Sequence, residues 1–176
     1  MGLKGLGQAR NLRGTSGSVS AGGVAAAEVI DVAHPLASMS AREVIELAAD
    51  RGLRTPRDSL ILWSGLGRDG VARSQAFARE FGGMTLEMTP GGKWLDRMDL
   101  FNPATSPFTA SEARAIWGDV SGRMVGQASG QVRSVLGQVR PDSVYRTFEL
   151  PALRENPAIL GLDPLQVRPM LKSNGY

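Results

Sequence analysis

The chain contains no cysteine and only one histidine, His34. The lack of cysteine excludes a disulfide framework and a thiolate zinc site, and it fits a reducing compartment. A lone histidine ahead of Pro35 excludes a histidine-based metal cluster, so neither a metal nor a histidine general base is expected. No apolar run is long enough to span a bilayer, and Met1-Gly2-Leu3-Lys4 lacks the apolar core of a signal peptide. A membrane partner is therefore not expected. Charge blocks are missing too. The net charge is +3 and the basic residues are mostly arginine, but they are scattered along the chain. With a pI near 9.8, nucleic acid is only weakly suggested as a partner.

What is present suits one globular domain. At 176 residues and 42% hydrophobic content the chain can bury a core. Residues 1–23, rich in Gly, Ser, Ala and Arg, read as a flexible arm or linker, leaving 24–176 as the folded domain. The central signal is Leu60-Ile61-Leu62-Trp63-Ser64-Gly65. Ser59 to Trp63 predicts a buried strand, Gly65 to Gly70 a turn, and Val71 to Phe81 a helix.

Several other elements carry local signatures. Val24 to Val32 predicts a short helix. Ser40 with Glu43 forms a capping box for a helix bearing Val44, Ile45, Leu47 and Ala48, ended by Gly52. Met84 to Met88 predicts a second strand. Thr89-Pro90-Gly91-Gly92 predicts a loop, and Lys93 to Leu100 a helix. Thr109 with Glu112 caps a long helix reaching toward Leu136, with Gly118, Gly122, Gly126 and Gly130 as a smooth stripe for a close-packed backbone. Ser143 to Leu150 predicts a third strand ended by Pro151, Asn156-Pro157 the start of a short helix, and Gln166 to Arg168 a last strand. The expected fold is α/β, with a small, mostly parallel sheet of Rossmann or flavodoxin type and an N-terminal helical portion. Its site is expected at the C-terminal ends of the strands.

Two constellations carry chemistry. Gly65-x-Gly67-x-x-Gly70 fits a dinucleotide fingerprint between a strand and a helix, with Glu87 placed for a ribose hydroxyl. The plain alternative is a tight turn that needs glycine. The second constellation is the ordered series Leu62-Trp63-Ser64, Thr85-Leu86-Glu87, Trp117-Gly118-Asp119-Val120-Ser121 and Ser143-Val144-Tyr145-Arg146-Thr147-Phe148-Glu149. Taken together, these blocks resemble the ADP-ribosyl cyclase / cyclic ADP-ribose hydrolase family, which cleaves the nicotinamide–ribose bond of NAD.

The resemblance implies that Glu149 is the catalytic glutamate. Glu87 would be the acidic residue that contacts nicotinamide and influences cyclisation against hydrolysis. Trp63 and Trp117 would be the pocket tryptophans. Ser64, Ser121, Gly65 and Tyr145 would complete the substrate site, with Gly65 standing where animal members carry an arginine and Val144 where they usually have a threonine. NAD+ is then substrate, with no separate cofactor. A cysteine-free chain with a Gly/Ser-rich arm resembles the bacterial toxin domains of this type. That implies an effector, secreted or delivered, which acts in a target cell's cytoplasm and has a cognate immunity protein. The competing expectations are a Rossmann-type nucleotide-binding domain built on the glycine turn and a basic module for RNA or a protein partner.

Overall fold

The computed structural model describes residue 36 and residues 38–166. The expected arm, the Val24–Val32 helix, His34 and most of the Gln166–Arg168 strand lie outside the described residues. Within them the protein is a mixed α/β structure. Five helices and three strands follow in the order α1 (Ala41–Asp50), β1 (Ile61–Ser64), α2 (Gly70–Glu80), α3 (Pro90–Arg97), α4 (Ala110–Gln127), β2 (Gly130–Leu136), α5 (Leu150–Glu155) and β3 (Ile159–Gln166). The strands form one parallel sheet in the order β1-β2-β3.

Side chains of β1 alternate between two packed layers, which is why its sequence is apolar throughout. Leu60 and Leu62 face the larger cluster, built from α1, α3, α4 and α5. Ile61 and Trp63 face a smaller one with Ala78 and Phe77 of α2. The central strand does the same, with Val132 in the first cluster and Val135 in the second. Helices therefore cover both faces of the sheet.

Elements with a complete local signature form where the sequence places them. The Ser40 and Thr109 side chains each accept from the N3 backbone amide, and Glu43 and Glu112 reach back in return. Helix α1 stops at Arg51, followed by Gly52 with φ 104°.

Several expectations are corrected. Residues 84–88 are not a strand. Only a parallel bridge from Leu60 to Met84 forms, and Leu86–Met88 is a 3₁₀ turn. The Thr89–Gly92 loop is instead the first turn of α3. The Thr89 hydroxyl accepts from the Gly92 amide, and Pro90 fits the first turn, where no amide hydrogen is needed.

The long helix does not approach Leu136. It ends at Gln127, and Gly130–Leu136 is the central strand. The switch occurs where Gly130 adopts φ 83° and the Asp58 carboxylate accepts from the Gln131 amide at 2.7 Å, tying the starts of β1 and β2 together. The glycine stripe is correspondingly split. Gly118 faces the Phe148 ring, Gly122 and Gly126 face open space, and Gly130 lies beyond the helix.

Finally, residues 144–150 are helical rather than part of the strand expected over 143–150. The Ser143 carbonyl accepts from the Thr147 amide and hydroxyl, at 3.0 and 2.8 Å. A π-helical turn at Tyr145–Glu149 then runs into α5, with Pro151 in its first turn. Asn156 consequently ends a helix rather than starting one; its side-chain amide donates to the carbonyls of Val125 and Ala128.

Candidate active site

A cavity of about 380 Å3 opens beyond the C-terminal end of β1. Its wall includes Trp63, Ser64 and Gly65 from β1 and the turn behind it, and Glu87 from the 3₁₀ turn. Trp117 and Ser121 come from α4, and Tyr145 and Glu149 from the π-helical turn. All eight residues singled out in the sequence thus meet in one cavity. The sequence reading missed Asp96 of α3, at the exposed rim, and Phe101, which is 53% exposed beside it. Neither carried a signal: an acidic residue on a helix and an aromatic in a loop are ordinary locally, and only the fold brings them to the cavity.

The geometry of Glu149 follows from two adjacent turns of α4. The Phe148 ring occupies the space beside the Gly118 backbone, and one turn on, the Ser121 hydroxyl donates to Glu149 Oε1. The π-helical turn keeps Tyr145 and Glu149 on its buried side and leaves Arg146 and Thr147 exposed. Glu149 Oε2 is buried without a hydrogen-bond partner among the described residues. An unpaired carboxylate oxygen in an apolar wall is costly. Burial accordingly raises the Glu149 carboxyl to about 7; the Ser121 hydroxyl opposes the rise and the charge of Glu87 adds to it.

Glu87 is held from the other side. Trp63 Nε1 donates to both of its oxygens, at 3.1 and 3.2 Å. Burial pushes this carboxyl upward as well; the Trp63 indole opposes the rise and the charge of Asp96 adds to it. The indole that makes this contact lies against Gly70, where a methyl group would overlap its six-membered ring.

Packing accounts for two of the three glycines of the fingerprint, Gly65 and Gly70. Gly65 has φ 70°, and a side chain on it would collide with the Gln138 backbone, whose amide donates to the Gly65 carbonyl at 3.0 Å. Gly70 makes room for Trp63. Glu87 points into the Trp63 cavity and does not sit at the end of a second strand.

The site can thus present two acids from different elements, two half-buried indoles and a hydroxyl around one small space. Its aromatic faces and carboxylates suit a planar cationic ring. Among the described residues no group of three or more acidic, histidine or cysteine side chains could hold a metal ion, and no helix is long and apolar enough to cross a membrane.

No family profile matches this chain, and no curated protein does. Solved structures do match. A structure of CD38, described in terms of its catalytic mechanism and a covalent enzyme–substrate complex, aligns with TM-score 0.55 and 19% identity over 77% of this chain and 61% of its own. An Aplysia cyclase complexed with substrate NGD and product cGDPR aligns at 0.49 and 23%, over 63% of this chain and 49% of its own. The chain spans about half to three-fifths of the length of these structures. At 19% identity the likeness to CD38 is one of fold.

Proposed function

We propose that this protein is an NAD+ glycohydrolase that cleaves the nicotinamide–ribose bond, giving nicotinamide and ADP-ribose with some cyclic ADP-ribose. The observation that carries this reading is the buried Glu149 carboxylate, with one oxygen accepting from Ser121 and the other unpaired, in the cavity that also holds Glu87, Trp63 and Trp117. The fold likeness to CD38 supports it.

The chemistry matches the residues. Nicotinamide leaves the cationic pyridinium as a neutral molecule, so its departure needs no general acid. The barrier lies in the positive charge that develops on the ribosyl carbon. Ionised Glu149 would stabilise that charge and accept from ribose hydroxyls; a preorganised group of this kind is worth on the order of a hundredfold to a thousandfold in rate. Trp63 and Trp117 would flank the ring, each contact worth roughly 0.5 to 2 kcal/mol. Glu87, oriented by Trp63, would meet the nicotinamide end, while Ser64, Gly65 and Tyr145 would complete the substrate contacts.

In this reading NAD+ is a substrate and no separate cofactor is required. The domain is taken as 24–176 behind an arm of 1–23. By its resemblance to toxin domains the protein would serve as a secreted or delivered effector, acting in the cytoplasm of a target cell and neutralised by a cognate immunity protein. Loss of cellular NAD+ on expression in a bacterial host would test that role.

The deciding experiment is nicotinamide release from NAD+ by wild type and Glu149→Gln, with products separated by chromatography. Release by wild type and its loss in the variant are expected. A folded wild type that releases none would overturn the reading.

A further inference from the structure

The described residues place three charged side chains on the cavity wall, Glu87, Asp96 and Glu149, and all three are acidic. Glu87 is 8% exposed and Glu149 7%, whereas Asp96 sits in solvent at the rim. Among the described residues the elements around the buried pair put no positive charge on the cavity wall; α3, packed on the 3₁₀ turn, carries Lys93 and Arg97, both exposed and off that wall. From β1 come Trp63 and Ser64, and from the 3₁₀ turn Glu87. From α4 come Trp117 and the Ser121 hydroxyl. The other charged side chains of α4 are turned away: Arg123 pairs with Asp119 and Glu46, Arg114 with Asp142. On the π-helical turn Tyr145 faces inward and Arg146 outward, and on α5 both Arg154 and Glu155 are exposed.

Two buried carboxylates that line one apolar cavity, with no cation on its wall among the described residues, disfavour ionising together, and the empty site favours keeping one proton. A pyridinium ring brings the missing positive charge. We infer that the site takes up its cationic ring in exchange for a proton held by the Glu87–Glu149 pair. The carboxyl O–H bond breaks, the proton passes to bulk water, and the ring's charge takes its place; no other bond changes. The Trp63 indole, donating to both oxygens of Glu87, keeps that acid an acceptor and leaves Glu149, with its unpaired oxygen, as the better proton carrier.

The direction of the exchange follows from linkage. A cation favours the ionised pair, so its affinity climbs with pH until the empty site has lost its proton, then levels off. A neutral ring gains nothing from deprotonation. Proton loss in the empty site also prepares Glu149 for its charged role, so cation binding and activation of the carboxylate are one event. This inference rests on the proposed cleavage of NAD+ for its choice of ring.

The test uses the full chain and two probes that the reaction cannot consume, the cation 1-methylnicotinamide and neutral nicotinamide. Titration calorimetry in buffers of different ionisation enthalpy reads affinity and proton release together. Binding of 1-methylnicotinamide should be about tenfold tighter at about pH 8 than at about pH 6, with close to one proton released at the lower pH. Nicotinamide should bind with no pH dependence. In Glu149→Gln the dependence for the cation should flatten.

The exchange is overturned if the cation fails to bind into the millimolar range. It is also overturned if the cation's affinity ignores pH, if nicotinamide shows the same dependence, or if Glu149→Gln retains it in full. The two readings fail separately. A protein that cleaves NAD+ yet binds the cation with pH-independent affinity overturns the exchange and spares the glycohydrolase. One that exchanges a proton for the cation but leaves NAD+ intact supports the exchange and overturns the glycohydrolase.

Discussion

The ring of Phe148 fills the space that a side chain at Gly118 would need, and so sets how closely the π-helical turn lies on α4. Ser121 stands one helical turn farther along α4, and Glu149 follows Phe148 directly, so this one contact aligns the hydroxyl with the carboxylate. Gly118→Ala should force the ring outward. We expect a destabilisation of about 1 to 3 kcal/mol and a loss of nicotinamide release of more than about tenfold. The control is Gly122→Ala on the same helix, where a methyl group meets nothing within 4 Å. It should stabilise by about 0.5 to 1 kcal/mol through helix propensity and leave turnover unchanged. Denaturant unfolding and an activity assay on both variants check this, and equal effects at the two positions would contradict it.

Ser121→Ala removes the donor that favours the ionised form of Glu149. The Glu149 carboxyl, already at about 7, should move higher. The rising limb of kcat/KM against pH should therefore shift to higher pH, and activity near neutrality should fall by about tenfold or more. Activity restored at alkaline pH would separate this from simple loss of structure, and an unshifted limb would show that the hydroxyl does not tune the carboxylate.

Stability should depend on pH in the opposite sense to activity. The folded Glu149 carboxyl lies at about 7 against an ordinary value of 4.5. A carboxyl raised in this way contributes stability that is full below 4.5 and is lost as pH rises through about 7. For a fully buried group the loss is roughly 3 kcal/mol, and Glu87, also raised, acts in the same direction. Glu149→Gln should remove most of this dependence and be more stable than wild type on the alkaline side. Chemical denaturation across the pH range measures it, and parallel curves for the two proteins would refute the assignment.

Trp63→Phe keeps an aromatic wall but deletes the indole N–H that donates to Glu87. The Glu87 carboxyl should rise further. Hydrogen bonds to charged groups are worth about 1.5 to 3 kcal/mol, so kcat/KM should drop by about tenfold to a hundredfold. Trp63→Ala should cost more, because the ring contact goes as well. Steady-state kinetics on the pair distinguish the two contributions, and equal losses would assign the whole effect to the indole N–H.

The sequence by itself determined whatever depends on neighbours a few residues away. The capping boxes at Ser40/Glu43 and Thr109/Glu112, the apolar run of β1 and the helix behind its glycine turn are complete in short windows. The eight candidate site residues were also legible, through the order of their motifs. The tertiary structure decided what those windows left open. Val132 to Leu136 became the central strand because Asp58 and Gly130 fix its start against β1. Residues 145–149 read as a strand by composition, yet they coil because Ser143 starts a helical turn and Phe148 finds its seat on Gly118. Gly65 and Gly70 of the fingerprint, likewise, answer to Gln138 and Trp63. Whether Glu149 carries a proton is the most remote question from the sequence, because it depends on burial and on Glu87, brought from a distant segment, and both exist only once the chain has folded.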